Sequence, residues 1–134
     1  KSLEKIFDEY EQNQKIILPN LFKNEKEDLK MVDDLVSSYL ENKKEIENSL
    51  AKYTPEWDND RITKIDYILM LMALTEFRYM PHIPVKVSLN EYIEVAKMYS
   101  TPKSSKFING TLDKILHDWS KQNLIHKKGR GLIG

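Results

Sequence analysis

Few residues of this sequence have the types and spacing that catalysis or metal binding requires. Asp113 and His117 are four residues apart on a predicted helix and could each donate one ligand to a metal ion. Two ligands are too few for a site, and a surface pair explains the same spacing. The glycines at 129, 131 and 134 spell G-x-G-x-x-G, but a dinucleotide site needs this pattern to open a helix, and here the sequence ends. With no nucleophile–base pair or P-loop, we expect no catalytic residue, cofactor, metal or enzymatic activity.

A second group of side chains has the chemistry of RNA binding. It lies in the run Tyr-Ser-Thr-Pro-Lys-Ser-Ser-Lys-Phe-Ile-Asn-Gly, where a predicted helix N-terminus offers free amides and a dipole that favours phosphate. An aromatic ring there could stack a base, and an amide could read a base edge. The candidate RNA-binding residues are Lys103, Ser104, Lys106, Phe107 and Asn109. A buried Phe107 beside solvated lysines explains the same run equally well, and the residues alone leave both interpretations open.

Net charge is zero, yet the two parts of the sequence have opposite signs. Residues 1–60 carry nine Lys and Arg against fifteen Asp and Glu, whereas residues 61–134 carry twelve against six. A basic second part is typical of a nucleic-acid surface. A solvated surface with two oppositely charged ends explains the same asymmetry.

The elements that must position these residues are helices. Residues 61–79 are rich in Leu, Met and Ala, too long for a buried strand and too short for a membrane span, so they predict a buried central helix. We expect Asp60 to cap it. Low Gly and Pro content and helical apolar spacing predict an all-α fold.

Four further helices are predicted around the central one. They cover residues 3–10, 25–52 with a bend near Asn42, 89–99 and 103–122. The run Ser88-Leu-Asn-Glu91 reads as a capping box for the third of these, and a Ser or Thr cap with Pro102 opens the last. Gly110 inside a helix costs about 1 kcal/mol relative to Ala, so we expect it to permit close approach of another helix.

One domain is expected over residues 1–124, followed by a basic flexible tail over residues 125–134. The sequence has no cysteine, signal peptide or transmembrane segment, which fits the cytoplasm and no membrane association.

Two runs of this sequence resemble the NusB family of transcription antitermination factors. They are Val85-Lys-Val-Ser-Leu-Asn-Glu-Tyr-Ile-Glu-Val-Ala-Lys and Ser104-Ser-Lys-Phe-Ile-Asn-Gly-Thr-Leu-Asp-Lys, and the apolar helix from Asp66 to Phe77 is similar to the family's central helix. The likeness is most specific over residues 60–115.

The resemblance implies a compact NusB-type helical bundle that binds the boxA element of nascent ribosomal RNA. It implies NusE, a small-subunit ribosomal protein, as partner, within the RNA polymerase antitermination complex. By position, Lys106, Phe107 and Asn109 match the family's K-F-x-N-G run at its RNA surface, and Lys103 and Ser104 adjoin it. Glu76 matches a central-helix glutamate on the NusE side, and the added neighbours there are Arg78 and Tyr79.

The sequence departs from the family pattern at its start. Family members usually open with an arginine-rich helix, whereas Lys1–Tyr10 is acidic and aromatic. Lys103, where relatives often carry an acid, would partly compensate through phosphate contacts. Two alternatives stay open: a protein-interaction module of NusB fold that has lost RNA binding, and the NusB-like RNA-binding domain of a ribosomal RNA methyltransferase.

Overall fold

The structure, a computed structural model, describes residues 25–54 and 63–132. These residues form five α-helices and one 3-10 turn with no strand among them, which confirms the all-α class. In chain order the elements are α1 (Glu25–Glu41), α2 (Lys43–Tyr53), α3 (Lys64–Tyr79), α4 (Val85–Tyr99), α5 (Pro102–Lys121) and the turn Gly129–Leu132. The helix predicted over residues 3–10 lies outside the described residues.

The central helix α3 is the middle of the core, as the sequence predicted. Its buried residues include Met70, Leu74 and Phe77, none of which has any exposed surface. Each of the other four described helices packs against α3. Burying one such side chain contributes about 1.5–3 kcal/mol, so a helix that is apolar on every side is stable only when it is surrounded. No helix in the described parts of the chain is long and apolar enough to cross a membrane.

The cap of α3 differs from the expected one. Thr63, not Asp60, is the N-cap, and its side-chain oxygen accepts a hydrogen bond from the Asp66 amide at 3.2 Å. Asp60 lies outside the described residues. Because a Thr hydroxyl at this position satisfies an amide that the helix leaves unpaired, α3 begins three residues later than the apolar pattern suggested.

The predicted long helix over residues 25–52 is two helices. The prediction of one continuous helix is therefore wrong, although the interruption lies at Asn42, where a bend was predicted. The break is Asn42, whose side-chain amide donates to the carbonyl of Ser38 at 2.9 Å. An Asn side chain that bonds nearby backbone competes with helix continuation. Tyr39 on α1 and Leu50 on α2, one on each side of this break, both join the core around α3.

The capping box predicted at Ser88 is also wrong. Helix α4 begins at Val85, directly after Pro84, so Ser88 lies inside the helix and is fully buried. Its hydroxyl donates to the Glu76 carboxylate at 2.8 Å instead of capping its own helix. Asn90 and Glu91, the other polar residues of the predicted box, are exposed. The extended backbone of Pro84 already ends the preceding segment, so α4 needs no cap further along.

The start of α5 agrees with the sequence. Thr101 is the N-cap, its hydroxyl oxygen accepts from the Ser104 amide at 3.0 Å, and Pro102 is the first helical residue. Proline suits this position because its missing N–H would be unpaired there.

The segment after α5 is packed against the rest of the fold, which differs from the flexible tail expected from the sequence. Leu124 and Ile125 pack on the core, and the Lys128 amide donates to the Pro81 carbonyl at 3.1 Å. Gly131 is buried so close to Pro81 that a Cβ would overlap the Pro81 carbonyl oxygen. Although the segment is basic in composition, Leu124, Ile125 and Gly131 make this packing possible.

Gly110 does not serve the close helix packing expected of it. It is exposed on α5, and a Cβ built there would meet no atom within 4 Å. Nothing in the described fold therefore requires glycine at this position.

We expect Gly110→Ala to raise the free energy of unfolding by about 0.5–1 kcal/mol, because alanine removes the backbone entropy cost of a helical glycine. Urea denaturation measures the change. Gly131→Ala is the contrasting variant: its Cβ meets Pro81 backbone, so we expect it to lower stability. A Gly110→Ala protein less stable than the unchanged chain would contradict the open space seen here.

Candidate RNA and partner surfaces

The RNA-binding residues predicted from the sequence are mostly exposed on α5. Lys103, Lys106 and Asn109 are exposed, and Phe107 keeps 44% of its surface accessible rather than lying in the core. The alternative of a core Phe107 is therefore wrong. An exposed aromatic ring beside two lysines has the composition of a single-stranded nucleic-acid surface.

The backbone at this helix start is less available to phosphate than the sequence suggested. The Ser104 amide donates to the Thr101 hydroxyl, and the Ser105 amide donates to the Thr101 carbonyl at 2.9 Å. Ser104 is half-buried and its hydroxyl accepts from Thr101 at 3.0 Å. Phosphate binding here would therefore depend on the ammonium groups of Lys103 and Lys106 more than on free amides.

Helical geometry brings some of the candidates together and separates others. Lys103 and Phe107 are four residues apart and lie on one face of α5. Lys106 lies on its flank. Asn109 is two residues beyond Phe107, which places it about 160° round the helix from the ring at 3.6 residues per turn. Asn109 and Phe107 therefore face different directions.

Glu76, predicted on the partner side, is an interior residue. Only 4% of it is exposed, and its carboxylate accepts hydrogen bonds from Ser88 and from the Tyr92 hydroxyl. Burial raises the pKa of Glu76 to about 7, and the Ser88 hydrogen bond and the charge of Lys127 oppose this rise. The carboxylate joins α3 to α4, so an effect of Glu76 on a partner would act through the residues that it positions.

Lys127 closes the C-terminal end of α3 beside Glu76. Its ammonium donates to the carbonyls of Glu76 and Met80, both at 2.8 Å. A cation suits the negative end of a helix dipole. Burial lowers the pKa of Lys127 to about 8, and the charge of Glu76 opposes this fall.

Arg78 and Tyr79, the other two predicted partner residues, both bind Glu45 of α2. The Arg78 guanidinium is 2.7 Å from one Glu45 carboxylate oxygen, and the Tyr79 hydroxyl donates to the other at 3.0 Å. The guanidinium also lies 5.4 Å from the Tyr79 ring centre and 5.5 Å from that of Trp119. Half-buried and held by these contacts, the two side chains form a rigid corner whose role toward a partner stays a prediction.

A cavity of about 530 Å³ opens beside Arg78, between α2, α3 and α5, and the sequence analysis did not find it. Its polar lining includes Lys44, Asn48 and Lys52, which the spacing i, i+4, i+8 places on one face of α2. That spacing was the available signal in the sequence, but it does not show which face of α2 another helix covers. Only the packing of α5 across this face creates a cavity.

No metal centre emerges in the part of the chain that the structure describes. Asp113 and His117 are both exposed, and residues 25–54 and 63–132 contain no group of three or more His, Cys, Asp or Glu side chains that could hold an ion.

Comparisons with known proteins give one consistent result. The model of the NusB family matches residues 1–117. Transcription antitermination protein NusB of Chloroherpeton thalassium is 42% identical over 99 residues, which are 74% of this chain and 47% of the relative. The protein of the same name from Salinibacter ruber is 42% identical over 102 residues, 76% of this chain and 64% of the relative. The chain thus spans about half to two thirds of these relatives' length.

A third relative and one solved structure extend the comparison. Transcription antitermination protein NusB of Listeria monocytogenes is 40% identical over 98 residues, covering 73% of this chain and 75% of the relative. The crystal structure of T. maritima NusB superimposes with a TM-score of 0.67 at 27% identity, covering 88% of this chain and 77% of that one.

Glu76→Gln tests the buried carboxylate. A folded-state pKa near 7 against an ordinary 4.5 means that the folded chain binds more protons than the unfolded chain between these values. Stability therefore falls as pH rises through this window, by up to about 3 kcal/mol. Glutamine cannot ionise. We therefore expect the Glu76→Gln protein to lose this dependence of the free energy of unfolding on pH, as measured by urea unfolding from pH 5 to 7.5.

The matched control is Glu94→Gln, which neutralises an exposed glutamate of α4. It should retain the slope of the unchanged chain. An equal slope in the Glu76→Gln protein would show that another group causes the pH dependence.

Proposed function

The chain belongs to the NusB family, and from that premise we propose that it binds boxA-type RNA of ribosomal leader transcripts together with NusE. It acts in the cytoplasm by binding, without catalysis, as part of the RNA polymerase antitermination complex. The family role of transcription antitermination supports this proposal, because the relatives at 40–42% identity carry that name.

The observation that carries the RNA part is the exposed ring of Phe107 beside two lysines of α5. With 44% of its surface accessible, the ring can stack on a base, while Lys103 and Lys106 meet the neighbouring phosphates. Phosphate contacts supply affinity and register, and stacking of an unpaired base restricts binding to single-stranded RNA. In this proposal Ser104 shapes the helix start, and Asn109 contacts RNA only where the strand bends round α5.

The corner of Arg78 and Tyr79 is the proposed contact for NusE. Their shared attachment to Glu45 fixes both side chains before a partner arrives, which lowers the entropy cost of binding. Glu76, two residues before Arg78 on α3, bonds to Ser88 and holds α4 in place.

A protein-interaction module without RNA binding is the second candidate. The acidic balance of residues 1–60 favours it, because acidic side chains repel phosphate. Under this candidate the Arg78 and Tyr79 corner would bind NusE while the α5 face binds nothing.

Phe107→Ala discriminates between the two. We expect it to weaken binding of a labelled boxA-type RNA by about 1–3 kcal/mol, at least about fivefold in Kd, because stacking is lost. Fluorescence anisotropy with and without NusE at fixed salt is the measurement. NusE should tighten RNA binding by the unchanged chain.

Leu40→Ala is the matched control, since Leu40 on α1 is 46% exposed, close to the exposure of Phe107. It should leave RNA binding unchanged. If the unchanged chain binds NusE and never binds RNA, the second candidate replaces the first.

Lys103→Glu tests the phosphate contact. We expect the slope of log affinity against log salt concentration to become shallower by about 0.7, the contribution of one phosphate contact to a single strand. A salt titration of RNA binding measures it, with Lys30→Glu on α1 as a control of equal charge change. An unchanged slope would remove Lys103 from the RNA surface.

A further inference from the structure

We infer that the RNA surface continues along α5 from Phe107 into the cavity beside Arg78, and that this cavity is a second phosphate-binding site. The site, named here the α2–α5 cavity, is lined by Lys44, Lys52, Tyr53, Arg78, Trp119 and Gln122 among others. The inference rests on the proposed function and adds to it: the chain takes a longer single strand than the Phe107 face alone can hold.

The first step is the spacing of cations on α5. Lys103, Phe107, Lys114 and Lys121 follow one another at intervals of four, seven and seven residues, which keeps them on one face of a helix. All four are exposed. The distance from Lys103 to Lys121 along the axis is about 27 Å at 1.5 Å per residue. A basic stripe therefore runs almost the whole length of α5.

Gly110 lies on this stripe between Phe107 and Lys114. Because it is exposed and has no side chain, it leaves the helix backbone open to a strand. Nothing in the described fold uses that space. An RNA strand that lies along the stripe would occupy the space that the missing side chain leaves, whereas no packing contact within the described fold occupies it.

The second step connects the stripe to α2. The Tyr53 hydroxyl donates to the Asp118 carboxylate at 2.7 Å, which places the C-terminal end of α2 against α5 between Lys114 and Lys121. Lys52 precedes Tyr53 in the chain. Asp118 is an acidic residue beside the stripe. Lys114, four residues before it, and Lys121, three residues after it, offset its charge.

The third step is the chemistry of the α2–α5 cavity. Its cations are Lys44, Lys52 and Arg78, and its carboxylate, Glu45, is already bound by Arg78 and by Tyr79. In the described parts of the chain no ion pair involves either lysine.

Neutral donors complete the lining of this cavity. Asn48 and Gln122 offer amide groups, and Ser49 offers a hydroxyl. Lysines with amide and hydroxyl donors form the usual set that contacts phosphate oxygens. A volume of about 530 Å³ is within the range of sites that hold a small ligand.

An RNA backbone fits this site better than an acidic segment of a protein partner. The cavity adjoins the C-terminal end of the stripe, because Gln122 of its lining directly follows Lys121 in the chain. One RNA strand can therefore contact both. Its occupation would place RNA next to the Arg78 and Tyr79 corner, where the proposed NusE contact lies.

The test compares two labelled RNAs, a boxA-type RNA and the same RNA extended at either end by uridines. We expect the extended RNA that reaches the cavity to bind about tenfold tighter at low salt. Its slope of log affinity against log salt should be steeper by about 2, for three added phosphate contacts at about 0.7 each.

The double variant Lys52→Glu with Lys121→Glu should abolish this advantage of the extended RNA and leave the affinity for the short RNA within about twofold. The neutral pair Lys52→Gln with Lys121→Gln should give an intermediate slope. Both positions are exposed, so neither change disturbs the core. Lys30→Glu is the charge control on α1.

Four outcomes would overturn the inference. Equal affinity of the short and extended RNAs would exclude the second site while leaving the proposed function intact. An advantage of the extended RNA that survives the double variant would place the extra contacts elsewhere. If the double variant weakened the binding of NusE and left the binding of both RNAs unchanged, the cavity would be assigned to the protein partner. Failure of the unchanged chain to bind either RNA would reject the proposed function together with the inference.

Discussion

The carboxylate of Glu76 is the constraint on which the arrangement of the C-terminal half depends. A carboxylate that is almost fully buried is tolerated only when its oxygens receive hydrogen bonds. Here Ser88 and Tyr92 of α4 donate to it, and Lys127 binds the adjacent helix end. These bonds have direction, whereas apolar packing has none. They fix how far along α3 the next helix lies.

The two candidate surfaces lie on different helices of the fold. The partner corner is the last turn of α3, with Arg78 and Tyr79 held by Glu45 from α2. The RNA face is the outer side of α5, whose inner side packs on the core through residues such as Ile108 and Leu112. Substitutions on the outer side of α5 therefore leave the core undisturbed, so the proposed RNA face can be tested without loss of the fold.

The segment after α5 is bonded to the end of α3 and to the connection that leads to α4, and is not a loose basic end. Lys127 bonds the carbonyls at the end of α3, and Gly131 packs under Pro81 in the connection to α4. Lys127, one of the basic residues of this segment, is thus committed to the fold. The exposed Lys103, Lys114 and Lys121 follow one face of α5 instead, and Lys44 and Lys52 of α2 line the α2–α5 cavity.

The sequence by itself determined the helical class, the buried central helix and the Thr101–Pro102 start of α5, because each follows from local periodicity or local backbone chemistry. It also identified the K-F-I-N-G run through its resemblance to a family. The sequence assigned Ser88 to a helix cap, because a hydroxyl near a helix start fits the capping pattern. That local pattern does not show that Ser88 faces the buried carboxylate of Glu76. Only tertiary structure brought Glu76, Ser88 and Lys127 together, and only the packing of α5 over α2 made a cavity from exposed lysines. Such groups are far apart in the chain, and their meeting depends on the three-dimensional course of the backbone, which no local pattern encodes.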